Sequence, residues 1–246
     1  MLHFLESFRV GESGSYSFTF QGNVPGVLWI GEAAGKPRPL ILIGHGGGQD
    51  EHAPSVLARA KLLNVHGYDA VALAFPAHGG RPRSNAEDAA LTHMRHVAGN
   101  PLAAGPAVTA FNDLISQRAV PEWMQLITDL DEIGLPDNRG PVGYWGLSLG
   151  AAIGFALLAE ETRVGAAVLG LVDDHLARLA SSVTVPVQFL LQWDDQIIDR
   201  PHALKLFDSI ASHDKTLHAH PGDHHEVPVH EHETALGFFD RTLRTG

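Results

Sequence analysis

Five short apolar runs, at residues 40–43, 69–75, 141–146, 164–171 and 185–193, limit what this chain can fold into more than any other feature. Each lacks the alternation of a half-buried strand, so each reads as a strand covered on both faces. Stretches of helical spacing follow them. Residues 53–66 carry Val56, Leu57, Ala60, Leu62 and Leu63 before a stop at Gly67, and residues 151–158 are apolar throughout. Shorter helices are expected at 174–180 and 201–211. A final one at 231–243 follows a strand at 216–220 and carries Ala235, Leu236, Phe239 and Leu243. Strands and helices in alternation predict a mostly parallel sheet with helices on both faces, the α/β class.

The remaining segments are less regular. Residues 8–30 alternate weakly around Asn23-Val24-Pro25-Gly26 and predict an antiparallel hairpin at the N-terminal edge. Turns are expected at 35–39 and 134–140. Residues 81–106 have several Gly and Pro and no clean period, which predicts a long lid-like loop with one short helix at 86–97. Residues 108–133 read as a helix that Pro121 kinks or divides.

With 246 residues, no internal repeat and no linker, the reading is a single domain over 1–246 without a large cap. The net charge of −11 turns aside nucleic acid and anionic membrane surfaces as partners. Absence of cysteine excludes disulfides, thiol catalysis and thiolate metal sites. The N-terminus shows no basic start or apolar run of a secretory leader, and no segment is apolar enough to span a bilayer. A cytoplasmic protein is expected, its oligomeric state open, a homodimer included.

In open parallel sheets ligands bind beyond the C-terminal ends of the strands. Four such ends carry chemistry here: Gly44-His45-Gly46-Gly47-Gly48, Gly146-Leu147-Ser148-Leu149-Gly150, Asp194-Asp195 and Gly222-Asp223-His224-His225. The second lies between a strand and a helix, the setting in which G-x-S-x-G forms a nucleophile elbow. A serine hydroxyl needs a base, and an imidazole base needs a carboxylate to fix its tautomer. The chain supplies serine, then aspartate, then histidine. Donors for a tetrahedral oxyanion come from the Leu149 N–H, after the nucleophile, and from an N–H of the glycine loop.

On these motifs the sequence resembles an α/β-hydrolase over nearly its whole length, and is similar in particular to small bacterial serine esterases and dienelactone-hydrolase-like proteins. The resemblance implies Ser148 as nucleophile, Gly47 as second oxyanion donor, and no cofactor. For the acid, relatives show D-x-x-[VI]-P-x-x-x-A-x-x-L. Asp195, Ile198, Ala203 and Leu206 fall on it, with Asp199 in the proline position, which favours Asp195 over Asp194. The family's G-x-H fits Gly222-Asp223-His224 and favours His224 over His225. Dienelactone hydrolases proper use cysteine, so Ser148 points away from that activity.

Other readings are weaker. The glycine loop lacks the spacing or the G-K-[ST] of a phosphate site. Asp173-Asp174 is a rival acid position. His218, His220, His224, His225, His230 and His232 form a tract in which His218 and His220 alternate on a strand and His230 and His232 lack the i, i+4 spacing of a zinc pair; surface or core groups are the reading, so no metal is expected. His45 and His78 read as loop-ordering residues, and His45, Gly46, Gly48, Trp145 and Trp193 are the expected pocket neighbours. The implied function is cleavage of a small carboxylic ester, lactone or thioester through an acyl-enzyme. A peptidase or thioesterase with the same triad, or a non-catalytic binding protein, are the alternatives.

Overall fold

The computed structural model describes residues 2–10, 13–32, 37–99, 101–134 and 139–244. Among the described residues nine strands form one sheet: β1 (Leu2–Val10), β2 (Ser13–Phe20), β3 (Val24–Trp29), β4 (Arg38–Gly44), β5 (Asp69–Leu73), β6 (Arg139–Gly146), β7 (Val164–Gly170), β8 (Val187–Gln192) and β9 (Lys215–His220). Their spatial order is β1-β2-β3-β5-β4-β6-β7-β8-β9. The first three strands pair antiparallel, and β3 joins β5 antiparallel. From β5 to β9 every pairing is parallel. The expected N-terminal hairpin is therefore a three-stranded meander, because residues 2–10 add a strand outside it.

Strand order reverses at β4. The chain leaves β4 for β5 on one side and returns to place β6 on the other. Connections of β4 and β6 thus diverge above their C-terminal ends, where a crevice opens. The glycine loop and Ser148 both stand there.

Alternate side chains of the central strands feed two cores. Leu40, Leu42 and Tyr144 pack with Ile115, Trp123, Leu126 and Phe155 on one face. These come from α3 (Pro101–Ile133) and α4 (Leu149–Glu160). Ile41, Ile43 and Trp145 pack on the other face with Val56, Leu63 and Phe239, from α1 (Pro54–Val65) and α7 (Glu231–Leu243). Two covered faces explain why these strands are apolar without alternation.

Within 81–106 the short helix expected at 86–97 is present, and the difference is that the next helix begins at Pro101 rather than at 108, leaving little of the segment as loop. Helix α2 (Asn85–Val97) begins on a capping box, in which Ser84 Oγ accepts the Glu87 N–H and Glu87 accepts the Ser84 N–H. Glu87 also accepts from Arg118 Nη1 at 2.6 Å, tying α2 to α3. Helix α3 starts at Pro101, where a missing N–H costs nothing, and runs through Pro106 and Pro121. Gly105-Pro106 reads as a breaker in sequence; packing of the following 27 residues outweighs the one hydrogen bond it removes. The turns expected at 35–39 and 134–140 lie partly outside the described residues. Among the described residues no helix is long and apolar enough to cross a membrane.

Candidate active site

The turn after β6 is set by close backbone approach. A Cβ on Gly146 would stand 2.5 Å from the Gly150 carbonyl oxygen, and one on Gly150 would stand 2.9 Å from the carbonyl oxygens of Gly44 and His45. Only glycine fits at either position. Tyr144 Oη donates to the Gly150 carbonyl at 2.6 Å and Ser148 N–H to the Gly170 carbonyl at 3.0 Å. Between them Ser148 is held at φ 55°, ψ −124°. That backbone costs a non-glycine residue about 1–3 kcal/mol, and persists because neighbours on both sides determine it.

Ser148 Oγ lies 3.0 Å from His224 Nε2, and His224 Nδ1 lies 2.7 Å from Asp195 Oδ2. The other Asp195 oxygen accepts the N–H groups of Ile197 and Ile198 at 2.8 and 2.9 Å. Burial alone would raise the Asp195 carboxyl. The His224 hydrogen bond and the two backbone donors outweigh it and hold the group below the usual carboxylate range. A charged carboxylate at Nδ1 places the proton there, so Nε2 accepts from the serine hydroxyl. Both side chains of this pair are almost fully buried.

The neighbouring residues take other work. Asp194 Oδ2 accepts the Gly222 N–H at 3.2 Å, clamping the loop after β8 to the loop after β9. Asp173, the rival acid, accepts from the ring and backbone of His175 and is committed locally. In the glycine loop, Gln49 Oε1 takes the Gly46 N–H at 3.2 Å. Neither the Gly47 nor the Leu149 N–H is taken by an acceptor among the described residues. Both therefore remain able to donate to a bound oxygen, Leu149 from the first turn of a helix.

Three hollows of about 430, 360 and 420 Å³ meet at Ser148. The first runs under Trp145 and over Arg59 toward His232, with Gly46 and Gly47 on its wall. The second is walled by Gly48, Leu149, Leu91 and Phe111, and the third by Met94, Val108 and Ile198. The α2–α3 pair therefore overhangs the serine, in the place where the sequence suggests a lid.

Two expected pocket neighbours are placed elsewhere. His45 is fully buried, donating from Nδ1 to the Gly46 carbonyl at 2.8 Å and accepting the Phe75 N–H at Nε2. Burial lowers its pKa to about 3, so it is a neutral brace beneath the glycine loop. Trp193 faces solvent, 46% exposed, with the Arg200 guanidinium 4.2 Å over its ring. The sequence reading missed Arg59, whose guanidinium donates to the Gly44 and Trp145 carbonyls, each at 3.1 Å, beneath the first hollow. Desolvation lowers its pKa to about 10. Its signal was present, since an arginine stands on the apolar stripe formed by Val56, Ala60 and Leu63.

A reversed strand order with a strained serine at the crevice, and its histidine and acid at the next strand ends, defines an α/β-hydrolase architecture. No protein-family profile matches the sequence, and no curated protein matches it. Among solved structures, a PEG-bound cold-adapted esterase from an Arctic intertidal metagenomic library is 31% identical, covering 97% of this chain and 98% of that one, with a TM-score of 0.75. A zinc-bound structure of a cold-adapted esterase from the same library gives 30% identity, 97% of each chain and a TM-score of 0.69. An acetyl xylan esterase from Paenibacillus sp. R4, 13% identical over 99% of this chain and 88% of its own, shares the fold at a TM-score of 0.71. The chain belongs to the esterase group of the α/β-hydrolase superfamily. Its class of chemistry is ester hydrolysis.

Proposed function

We propose that the chain is a serine carboxylesterase cleaving small carboxylic esters, lactones or thioesters through an acyl-enzyme on Ser148. The observation that carries this reading is the unbroken chain of contacts from Ser148 Oγ through His224 to Asp195. His224 Nε2 takes the hydroxyl proton as Oγ attacks the carbonyl carbon, and Asp195 steadies the imidazolium. The Gly47 and Leu149 N–H groups hold the oxyanion. The imidazolium then gives its proton to the departing alcohol oxygen, leaving the acyl group on Oγ. Water, relieved of a proton by His224, attacks the acyl carbon. Collapse releases the acid and returns the proton to Oγ. No cofactor takes part in this scheme.

Two observations bear on substrate size. The hollows meeting at Ser148 are each of a few hundred Å³, and the serine lies beneath a helix pair without a separate large cap. This suits short acyl and alcohol groups divided between the hollows. Labelling with a fluorophosphonate tests the nucleophile, and a panel of p-nitrophenyl esters, lactones, thioesters and aminoacyl amides tests the class. Wild type is expected to be labelled and Ser148→Ala not, with rates falling as acyl chains lengthen. Equal labelling of both, or turnover confined to amides, would overturn the reading.

A further inference from the structure

Outside the catalytic relay, the fold collects histidines that are scattered in sequence around one buried carboxylate. Glu231, the first residue of α7, is 2% exposed. Its Oε2 accepts from Thr234 Oγ1 at 2.6 Å, His218 Nδ1 at 3.1 Å and Gln188 Nε2 at 3.2 Å. Those three donors fix the carboxylate plane. Its Oε1 faces two more imidazoles, with His220 Nε2 at 2.6 Å and His230 Nε2 at 3.9 Å. One ligand atom from each of His220, His230 and Glu231 lies within 4.8 Å of the others.

We propose that His220, His230 and Glu231 form a binding site for a divalent transition-metal ion of the zinc type, distinct from the Ser148 relay. Two imidazole nitrogens and one carboxylate oxygen are a common donor set for zinc, completed by water. Metal–ligand distances of about 2.0–2.1 Å in a tetrahedron place ligand atoms about 3.3 Å apart. The 2.6 Å contact would open and the 3.9 Å contact close, each by less than an ångström. The ion would replace the proton shared between His220 and Glu231. It also meets a carboxylate already oriented by outer hydrogen bonds, the arrangement that metal-binding side chains rely on. His220 ends β9 and His230 immediately precedes α7. An ion there joins the two ends of the loop that carries His224, and its carboxylate ligand also lines the hollow that reaches Ser148.

The donors come from a strand end, a helix cap and the helix's first residue, not from an i, i+4 pair on one helix.

Metal-stripped protein titrated with cobalt(II), followed by visible absorption, and with zinc(II), followed by calorimetry, tests the proposal. Wild type is expected to bind one ion per chain with the visible bands of four-coordinate cobalt. Binding should weaken by roughly 10- to 100-fold in His230→Asn and be lost in the His220→Asn/His230→Asn double variant. Circular dichroism checks that these variants fold. His224→Asn and Ser148→Ala should bind as wild type does, which separates this site from the proposed ester chemistry. No uptake from excess ion, unchanged uptake in the double variant, or uptake lost in His224→Asn would overturn the assignment.

Discussion

Two carboxylate–histidine groupings stand at the ends of adjacent strands, built from the same residue types. In one, Asp195 holds His224, whose second nitrogen meets the Ser148 hydroxyl. In the other, Glu231 holds His218 and His220, and the imidazole of His230 stands farther off, beside the same oxygen as His220. Both carboxyl groups are held below their ordinary range by hydrogen bonds that outweigh burial. Charge state therefore does not distinguish them. What differs is the partner at the far end: a hydroxyl on a strained turn in one, a further imidazole nitrogen in the other. A perturbed acid beside a histidine marks a site without saying which kind.

The contrast is open to direct attack. Asp195→Asn should lower kcat/KM on an activated ester roughly 10⁴-fold, because an amide leaves His224 free to take the wrong tautomer. Asp194→Asn, which loses only a loop clamp, should cost less than about tenfold. Comparable losses from the two variants would dissolve the distinction drawn between neighbouring aspartates.

Glu231→Gln should act on stability. Replacing a buried acceptor of several hydrogen bonds costs about 1–3 kcal/mol, read as a fall of a few degrees in Tm at neutral pH. The sign of its pH dependence follows from a folded pKa below the unfolded one. The carboxylate stabilises above about pH 4.3, the unfolded value. That contribution is lost as pH falls through the lower folded value. Wild type and variant should therefore converge in Tm as pH falls below the ordinary glutamate range, and a constant gap would refute the assignment. Smallest of all, Trp193→Phe should change ester turnover by less than about twofold, since the ring faces solvent. A large change in KM would restore it to the pocket.

Much of the arrangement was legible because it is local. The elbow needs glycine two residues either side of Ser148, and the acid and histidine follow their strands within a few residues. The resemblance then chose Asp195 and His224 from adjacent pairs, and the contacts place those two together. What escaped notice depends on long-range packing. Helix α3 begins before Pro106 because the helix beyond supports it. His45 is adjacent in sequence to the glycine loop yet points into the core, where the Phe75 N–H meets it from 30 residues away. Glu231 was an ordinary helix-start acid until the fold set it against strand residues 11 and 13 positions earlier.

The burial of His45 also bears on how the enzyme can be assayed. Its imidazole stays neutral until about pH 3, and burial likewise lowers the pKa values of His78 and His232. His45 is thus a silent spectator over the acidic arm of a rate profile, and His78 and His232 take up a proton less readily than a free imidazole. A proton seen to switch turnover on there does not come from His45 beneath the glycine loop. The scaffold still responds elsewhere: an unfolded His45 would protonate near pH 6.5, so acid favours unfolding by about 1.4 kcal/mol per pH unit from there down toward 3. Rate and melting curves measured together would tell a proton that governs catalysis from one that governs whether the chain stays folded.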